Sequence, residues 1–411
     1  MMGSVSTRYA LRSLLRHPRR TLLSMLGVGI GCAMGIMATS WVGGGGEMQI
    51  RAASESGAGH LRVVPAGWVG TRDNSLRLAD WEKAEAEVRA LAGLRGFAPR
   101  ARANGLLAMG NRTAGVEVAG VVPQAEQATN RLVRNSRILG RYLRTGDSGM
   151  AVIGAALAEK LDVELDDDLH VTLVGRDEMQ SAMLTIVGIL STGSRDIDSA
   201  ICHVTLEDLA AITGYEGPAE IAVMLEHHRL IDEARAVLAG RITGGNTVIT
   251  WKEVNPEIAA NVDGDKAFTR LLVGIIVIVV SLGITSAQLT GVLERRREFG
   301  ILMALGMKDR HFMGLIALEA VLIGLGGAVV ALLLGGPVAY LLATKGVDIS
   351  SLMGGDFSFG GVLLDPVMYG EFGAWVVWYA FVVSMAATLV ASLYPARFAA
   401  RTDPADALRV G

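Results

Sequence analysis

The sequence predicts an α-helical membrane protein with four transmembrane helices plus a large α+β domain outside the membrane. Three observations carry that prediction. Of 411 residues, 51% are hydrophobic and only 19% charged, where ordinary soluble domains carry about 25% charged residues. Four stretches are nearly free of charge over the roughly 20 residues that a helix needs to cross the hydrocarbon core; they lie within Thr21–Gly46, Leu271–Leu293, Phe312–Thr344 and Phe372–Ala396. Between the first and second, the 224 residues Gly43–Lys266 hold 23 Lys/Arg and 31 Asp/Glu, a net charge of −8, whereas the rest of the chain is +5. A chain of this length and apolarity is neither intrinsically disordered nor a small disulfide scaffold. Its two cysteines, Cys32 and Cys202, make no disulfide framework. Arginines mixed with acids leave no nucleic-acid footprint.

Residues 1–20 hold five Arg and no acid. They read as a cytoplasmic amphipathic helix, with Arg8, Arg12 and Arg16 on one stripe beside Leu11, Leu14 and Leu15, which suits the anionic inner leaflet of a membrane. A generic positive anchor has the same look. Transmembrane helix 1 is placed at 21–43. It is too long and too rich in glycine for the apolar core of a signal peptide. Gly27, Gly31 and Gly35 recur every four residues on one face, which serves either packing within the subunit or an interface between subunits.

The segment 44–266 alternates strand-like and helix-like stretches. Val116–Val122, Leu169–Leu173, Ala182–Ile189 and Ala219–Leu225 read as strands. Asp80–Leu91, Ala155–Leu161, Leu206–Ile212 and Ile231–Leu238 read as helices, with Asp80 and Thr205 as N-caps. Gly43–Gly46 and Asn261–Asp265 are expected to be hinges.

Transmembrane helix 2 is placed at 267–293, helix 3 at 312–344 and helix 4 at 372–396, with an outer loop at 345–371 and a cytoplasmic tail at 397–411. Residues 294–311 and 397–411 carry five and three Lys/Arg, against one Lys and four acids in 345–371. The excess of basic residues on the inner side puts both termini in the cytoplasm. Within 294–311, ERRREFGILMALGMKDRH, the residues Phe299, Leu302 and Met303 form an apolar stripe closed by Gly306. Either lipid headgroups or a cytoplasmic protein must receive it.

Several features carry no chemistry of their own. Glu319, the one acid inside a span, is read as a packing or snorkelling residue or as a transport residue. The vicinal pair His227–His228 does not make a metal site. Ser194, Asp196 and Asp198 sit in a turn-like loop and suggest no catalytic triad. No G-x-x-x-x-G-K-[ST] phosphate loop occurs, so these residues contain no P-loop ATPase.

ERRREFGILMALGMKDRHFMGLIALEAVLIGLGG and the closing YPARFAARTDPADALRVG resemble signatures of the MacB/FtsX-type ABC transporter permeases. ALRSLLRHPRRTLLSMLGVGIG and GMAVIGAALAEKLDVELDDDLHVTLVG are similar to the same family. The resemblance covers both membrane portions and much of the outer domain, and is greatest to the lipoprotein-releasing branch (LolC/LolE). It implies an inner-membrane half-transporter with a large periplasmic domain, a porter-like portion carrying a strand-rich insertion at about 111–203. It also implies a dimer of ABC ATPase subunits, with ATP and Mg on those subunits and no cofactor on this chain, and a second permease copy or paralogue. The coupling helix maps onto Glu298, Phe299, Gly300, Ile301, Leu302, Ala304, Leu305 and Gly306. Met34, Met37, Trp41, Phe268, Leu271 and Ile275 are the expected cargo-facing residues of helices 1 and 2. Ordinary lipid-facing packing explains them equally. Three functions are open at this point: release of lipoproteins to a periplasmic carrier, MacB-like efflux with an adaptor, and FtsX-like signalling to a periplasmic partner.

Overall fold

The computed structural model describes residues 16, 18–71, 73, 75–176, 178–295, 298, 301, 309–349, 358–359 and 362–400. In chain order the principal elements are α1 (Pro18–Ala53), β1 (Leu61–Pro65), α2 (Trp81–Arg89), β2 (Leu94–Met109), β3 (Arg112–Val121), α3 (Pro123–Thr129), β4 (Arg137–Gly140), β5 (Met150–Gly154), α4 (Ala155–Leu161), β6 (Asp168–Val174), β7 (Met179–Ser191), β8 (Cys202–Thr205), α5 (Leu206–Thr213), β9 (Glu220–Leu225), α6 (Ile231–Arg241), β10 (Asn246–Thr250), α7 (Pro256–Glu294), α8 (Asp309–Lys345) and α9 (Trp375–Ala400). They divide into two units: Met1–Gly46 with Asp263–Val347 and Met368–Gly411, and Glu47–Val262 with Asp348–Val367.

The first unit is helical. Four helices, at Pro18–Ala58, Pro256–Glu294, Met313–Lys345 and Trp375–Phe398, are long and apolar enough to cross a membrane. Their core gathers Val28, Cys32 and Ile36 of α1 with Ile284, Ile323, Ala331 and Ala380 of the other three. The glycines of α1 are where neighbouring helices come close. A Cβ on Gly29 would stand 2.4 Å from Val330, one on Gly31 2.4 Å from Val280, and one on Gly35 2.4 Å from the Tyr379 hydroxyl. Among the described residues a Cβ on Gly27 would meet nothing within 4 Å, so the four-residue repeat is not one uniform seam.

Neither expected hinge is a break in the chain. Gly43–Gly46 lies inside α1 and Asn261–Asp265 inside α7. The glycine run is explained by close approach instead. A Cβ on Gly44 would lie 1.8 Å from the Tyr369 carbonyl oxygen, and the Glu371 amide donates to Ser40 O at 2.9 Å.

The second unit is built on one long strand. The first part of β2 pairs with β9, and β1 lies between β9 and β10, all antiparallel. With α2 and α6 packed on it, this four-stranded sheet has the β-α-β, β-α-β order of ferredoxin-like folds. Its core holds Val63, Val88, Val223, Leu238 and Trp251. The second part of β2 pairs with both β3 and β6. From there the pairings β3–β8, β8–β5, β5–β7 and β7–β6 lead back to β2, so six strands form a closed circuit. Leu107, Val118, Ile153, Leu169, Leu173 and Ile186 fill its core. Closing the ring removes sheet edges that would otherwise template unwanted pairing.

The helix caps are only partly as expected. Thr205 Oγ1 accepts the Asp208 amide at 3.1 Å and caps α5. Asp80 precedes α2 in the left-handed region at φ 48° and its side chain caps nothing; it pairs with Lys83 at 3.4 Å instead.

Candidate functional site

Two polar clusters occur where apolar patterning would not place them, one in each unit. In the helical unit the cluster sits where the start of α1, the end of α7 and the first turns of α8 meet. Arg20 Nη1 lies 3.2 Å from Glu294 Oε2. The next residue, Arg295, donates from Nη1 to Glu319 Oε1 at 3.2 Å and stands 3.5 Å from Glu298. Gly291 makes room for the Arg20 head, since a Cβ there would come 2.2 Å from Nη1. Glu319, an acid within a long apolar helix, is therefore paired.

In the strand-rich unit the cluster is a network of buried charges. After α1 the chain makes a π-turn, Ser54–Ala58, in which Gly57 adopts φ 100°, a conformation that only glycine enters freely. That turn aims the Gly57 carbonyl at Arg100 Nη1 and at Arg62 Nη2, the latter at 3.3 Å. Arg62 Nε also donates to Ala58 O at 3.2 Å. Guanidinium groups at a helix C-terminus satisfy carbonyls that have no partner within the helix. The same two arginines hold acids: Arg62 Nη1 is 2.7 Å from Glu220 Oε2, and Arg100 Nε is 2.6 Å from Glu126 Oε2. Arg102 bridges from Glu117 at 2.5 Å to Glu220 at 3.5 Å.

Burial pushes the Arg62 guanidinium down to about 10, with Glu220 opposing and Arg102 and Arg100 reinforcing. Burial also opposes ionisation of Glu126 and Glu220, but their arginine partners outweigh it and hold both carboxyls below the usual range. Beside Glu126, the His203 ring is pushed down to about 4, chiefly by burial, and shares a 2.8 Å hydrogen bond with the Tyr142 hydroxyl.

The sequence did not single out Arg62, Arg100, Arg102, Glu126 or Glu220. Its one signal was the placement of charge inside apolar strands, as in LRVVP and EIAVML. Of the residues that were singled out, Phe299, Gly300, Leu302, Ala304, Leu305 and Gly306 lie outside the described residues, as does Met303. Glu298 and Ile301 are described, with Glu298 3.8 Å from Arg16. Met34, Met37, Phe268, Leu271 and Ile275 are exposed on α1 and α7, and Trp41 is half-buried. Ser194 is buried, and Asp198 accepts from the Thr192 amide and hydroxyl at 2.9 and 2.6 Å, which is turn architecture. Among the described residues no group of three His, Cys, Asp or Glu is placed to hold a metal.

Two family models match. The MacB-like periplasmic core domain matches residues 21–241, more than half of the chain, and the FtsX-like permease C-terminal domain matches residues 270–404. The chain belongs to the MacB/FtsX-type ABC transporter permease family. This permease is 24% identical over 431 residues to the lipoprotein-releasing system transmembrane protein LolC of Xylella fastidiosa, covering 100% of both chains. It is 25% identical over 415 residues to the macrolide export ATP-binding/permease protein MacB of Hyphomonas neptunium, covering 98% of the permease but 60% of that relative. The crystal structure of the periplasmic region of MacB from Actinobacillus actinomycetemcomitans aligns with 48% of the permease at 12% identity and a TM-score of 0.36.

Proposed function

We propose that this chain is the membrane subunit of an ABC transporter in which a separate ATPase drives movement of the outer domain, and that the work done is release of lipoproteins from the inner membrane. The observation that carries the reading is the end-to-end match to LolC, 100% of each chain. The match runs through the same order of spans and outer domain, and these residues carry no phosphate loop. The segment 294–311 is the seat for the ATPase, through Glu298, Phe299, Gly300, Ile301, Leu302, Ala304, Leu305 and Gly306. In this reading both termini are cytoplasmic and residues 44–266 periplasmic, which the basic flanks on the inner side support.

A second permease, identical or paralogous, completes the assembly. Of the four candidate spans, the one in α7 is the least covered, with 6% of its apolar window buried against 39–44% for the others. Cargo that leaves from the outer leaflet needs no polar pore through the helices. The exposed Met34, Met37, Phe268, Leu271 and Ile275 offer flexible apolar contact to acyl chains. MacB-like efflux with an adaptor is the second reading, supported by the match of residues 21–241 to the MacB-like core domain.

A mild-detergent pull-down of the tagged chain, followed by mass spectrometry, tests the proposal. An ATPase and an acylated protein should be recovered, and the ATPase should be lost in Phe299→Glu. Recovery of an adaptor in place of the acylated protein favours efflux. Absence of any ATPase overturns the transporter reading.

A further inference from the structure

We propose that the adjacent residues Glu294 and Arg295 form a two-way yoke that passes displacement of the cytoplasmic segment to α1 and α8 together. The inference rests on the reading of 294–311 as the ATPase seat, and it names the side chains by which force leaves that seat. α7 ends at Glu294. At that end, two successive side chains reach to different helices: Glu294 to Arg20 of α1 at 3.2 Å and Arg295 to Glu319 of α8 at 3.2 Å. Glu298 is 3.8 Å from Arg16 and 3.5 Å from Arg295, so both sides of the yoke are also tied to the first residue of the proposed seat.

The geometry suits transmission better than passive anchoring. Glu294 and Arg295 are successive residues that reach to different helices, so one rotation or axial shift at the end of α7 pulls on both neighbours. Ion pairs shielded from water are expensive to break one partner at a time; the Arg295–Glu319 pair is so shielded, with side chains 11% and 16% exposed, while Arg20–Glu294 is more open. The junction is nevertheless not close-packed. A cavity of about 30 Å³ lies among the three helices, lined by Arg20, Gln288, Arg295 and Glu319 together with apolar residues such as Leu315 and Ile323. Among the described residues, the carboxamide of Gln288 finds no hydrogen-bond partner for either of its polar atoms. An incompletely filled joint lets the helices shear while the pairs hold. α1 then runs unbroken from Pro18 to Ala53, and Arg62 and Arg100 hold the carbonyls of the π-turn that follows it.

The test uses the complete transporter in lipid nanodiscs, with hydrogen exchange of residues 47–262 measured with and without ATP and vanadate, and ATP hydrolysis measured in parallel. The single variants Arg20→Glu and Glu319→Arg, which break the same pairs from outside the seat, should keep the ATPase bound and turning over while the nucleotide-dependent exchange change falls at least fivefold. The exchanged pairs Arg20→Glu with Glu294→Arg, and Arg295→Glu with Glu319→Arg, should restore most of it. Gly291→Ala, which displaces the Arg20 head, should give a partial loss. A full response in both single variants overturns the yoke and leaves the transporter reading intact. The yoke is equally overturned if the single variants lose the response and the exchanged pairs, folded and ATPase-bound, do not recover it. A wild-type chain that recruits no ATPase overturns both.

Discussion

Arg100 and Glu126 meet at 2.6 Å inside the strand-rich unit, and the same guanidinium caps the carbonyl of Gly57 in the turn that follows α1. Glu126 is in turn held by the Asn130 carboxamide at 2.6 Å. Breaking a buried pair from one side leaves an uncompensated charge, which costs about 3–5 kcal/mol. Glu126→Gln should destabilise the full chain by that order, read as loss of the first thermal transition in detergent. Replacing both partners, Arg100→Met with Glu126→Leu, should recover part of the loss. Because the Glu126 carboxyl is held below its ordinary value, its contribution is present above the unfolded carboxylate pKa and is lost as pH falls through the folded one.

Acid sensitivity should begin at higher pH than the carboxylates alone would give. The His60 ring is buried and pushed down to about 4, mainly by burial, and its Nδ1 accepts the Leu225 amide at 3.1 Å. His203 is pushed down to about 4 by the same cause. An unfolded histidine titrates near pH 6.5, so between about 6.5 and 4 the unfolded chain binds more protons than the folded one. Stability is therefore full above that window and falls as pH drops through it, by up to about 1.4 kcal/mol per pH unit for each ring. Thermal unfolding from pH 7 to 5 should show the slope. His60→Asn with His203→Asn should flatten it, and an unchanged slope would place the acid response elsewhere.

The apolar helices and the strands Ala182–Ile189 and Ala219–Leu225 were legible in the sequence because hydrophobic burial imposes a period or a run that no other force disguises. The long strand β2 was not. Its sequence, LRGFAPRARANGLLAM, mixes Arg, Gly and Asn into a strand that is buried by charge pairing in one half and by packing in the other. The glycine run Gly43–Gly46 was read as a hinge because composition reports only that a Cβ is missing. The reason for its absence, the carbonyl of Tyr369 1.8 Å from where one would stand on Gly44, is a long-range fact. The Glu294–Arg20 and Arg295–Glu319 pairs were hidden for the same reason, although Glu319 itself stood out as an acid in an apolar span.

That account of the glycines separates two substitutions of similar size. Gly44→Ala forces a methyl against backbone, which cannot move aside as a side chain can, and should cost at least the 1–3 kcal/mol typical of overpacking. Gly27→Ala meets nothing within 4 Å and gains helix propensity of up to about 1 kcal/mol. Yield and melting temperature of the purified chain should fall for the first and hold or rise for the second. Equal behaviour would return the glycine run to the role of a hinge.

Leu106 and Leu107 are neighbours on β2, and strand alternation sends them to opposite faces. Leu107 is fully buried in the closed ring, while Leu106 is 42% exposed. Both occupy the short ladder, Gly105–Ala108 against Leu173–His170, that closes the ring from β2 to β6. Leu107→Ala removes core atoms that cannot be replaced by collapse of a rigid ring and should cost about 2–5 kcal/mol. Leu106→Ala should change stability by well under 1 kcal/mol. Hydrogen exchange localises the effect: amides of β2 and β6 should lose protection in Leu107→Ala, while those of β1, β9 and β10 keep theirs. If all strands lose protection together, the ring and the four-stranded sheet unfold as one body, and the long strand they share is the reason.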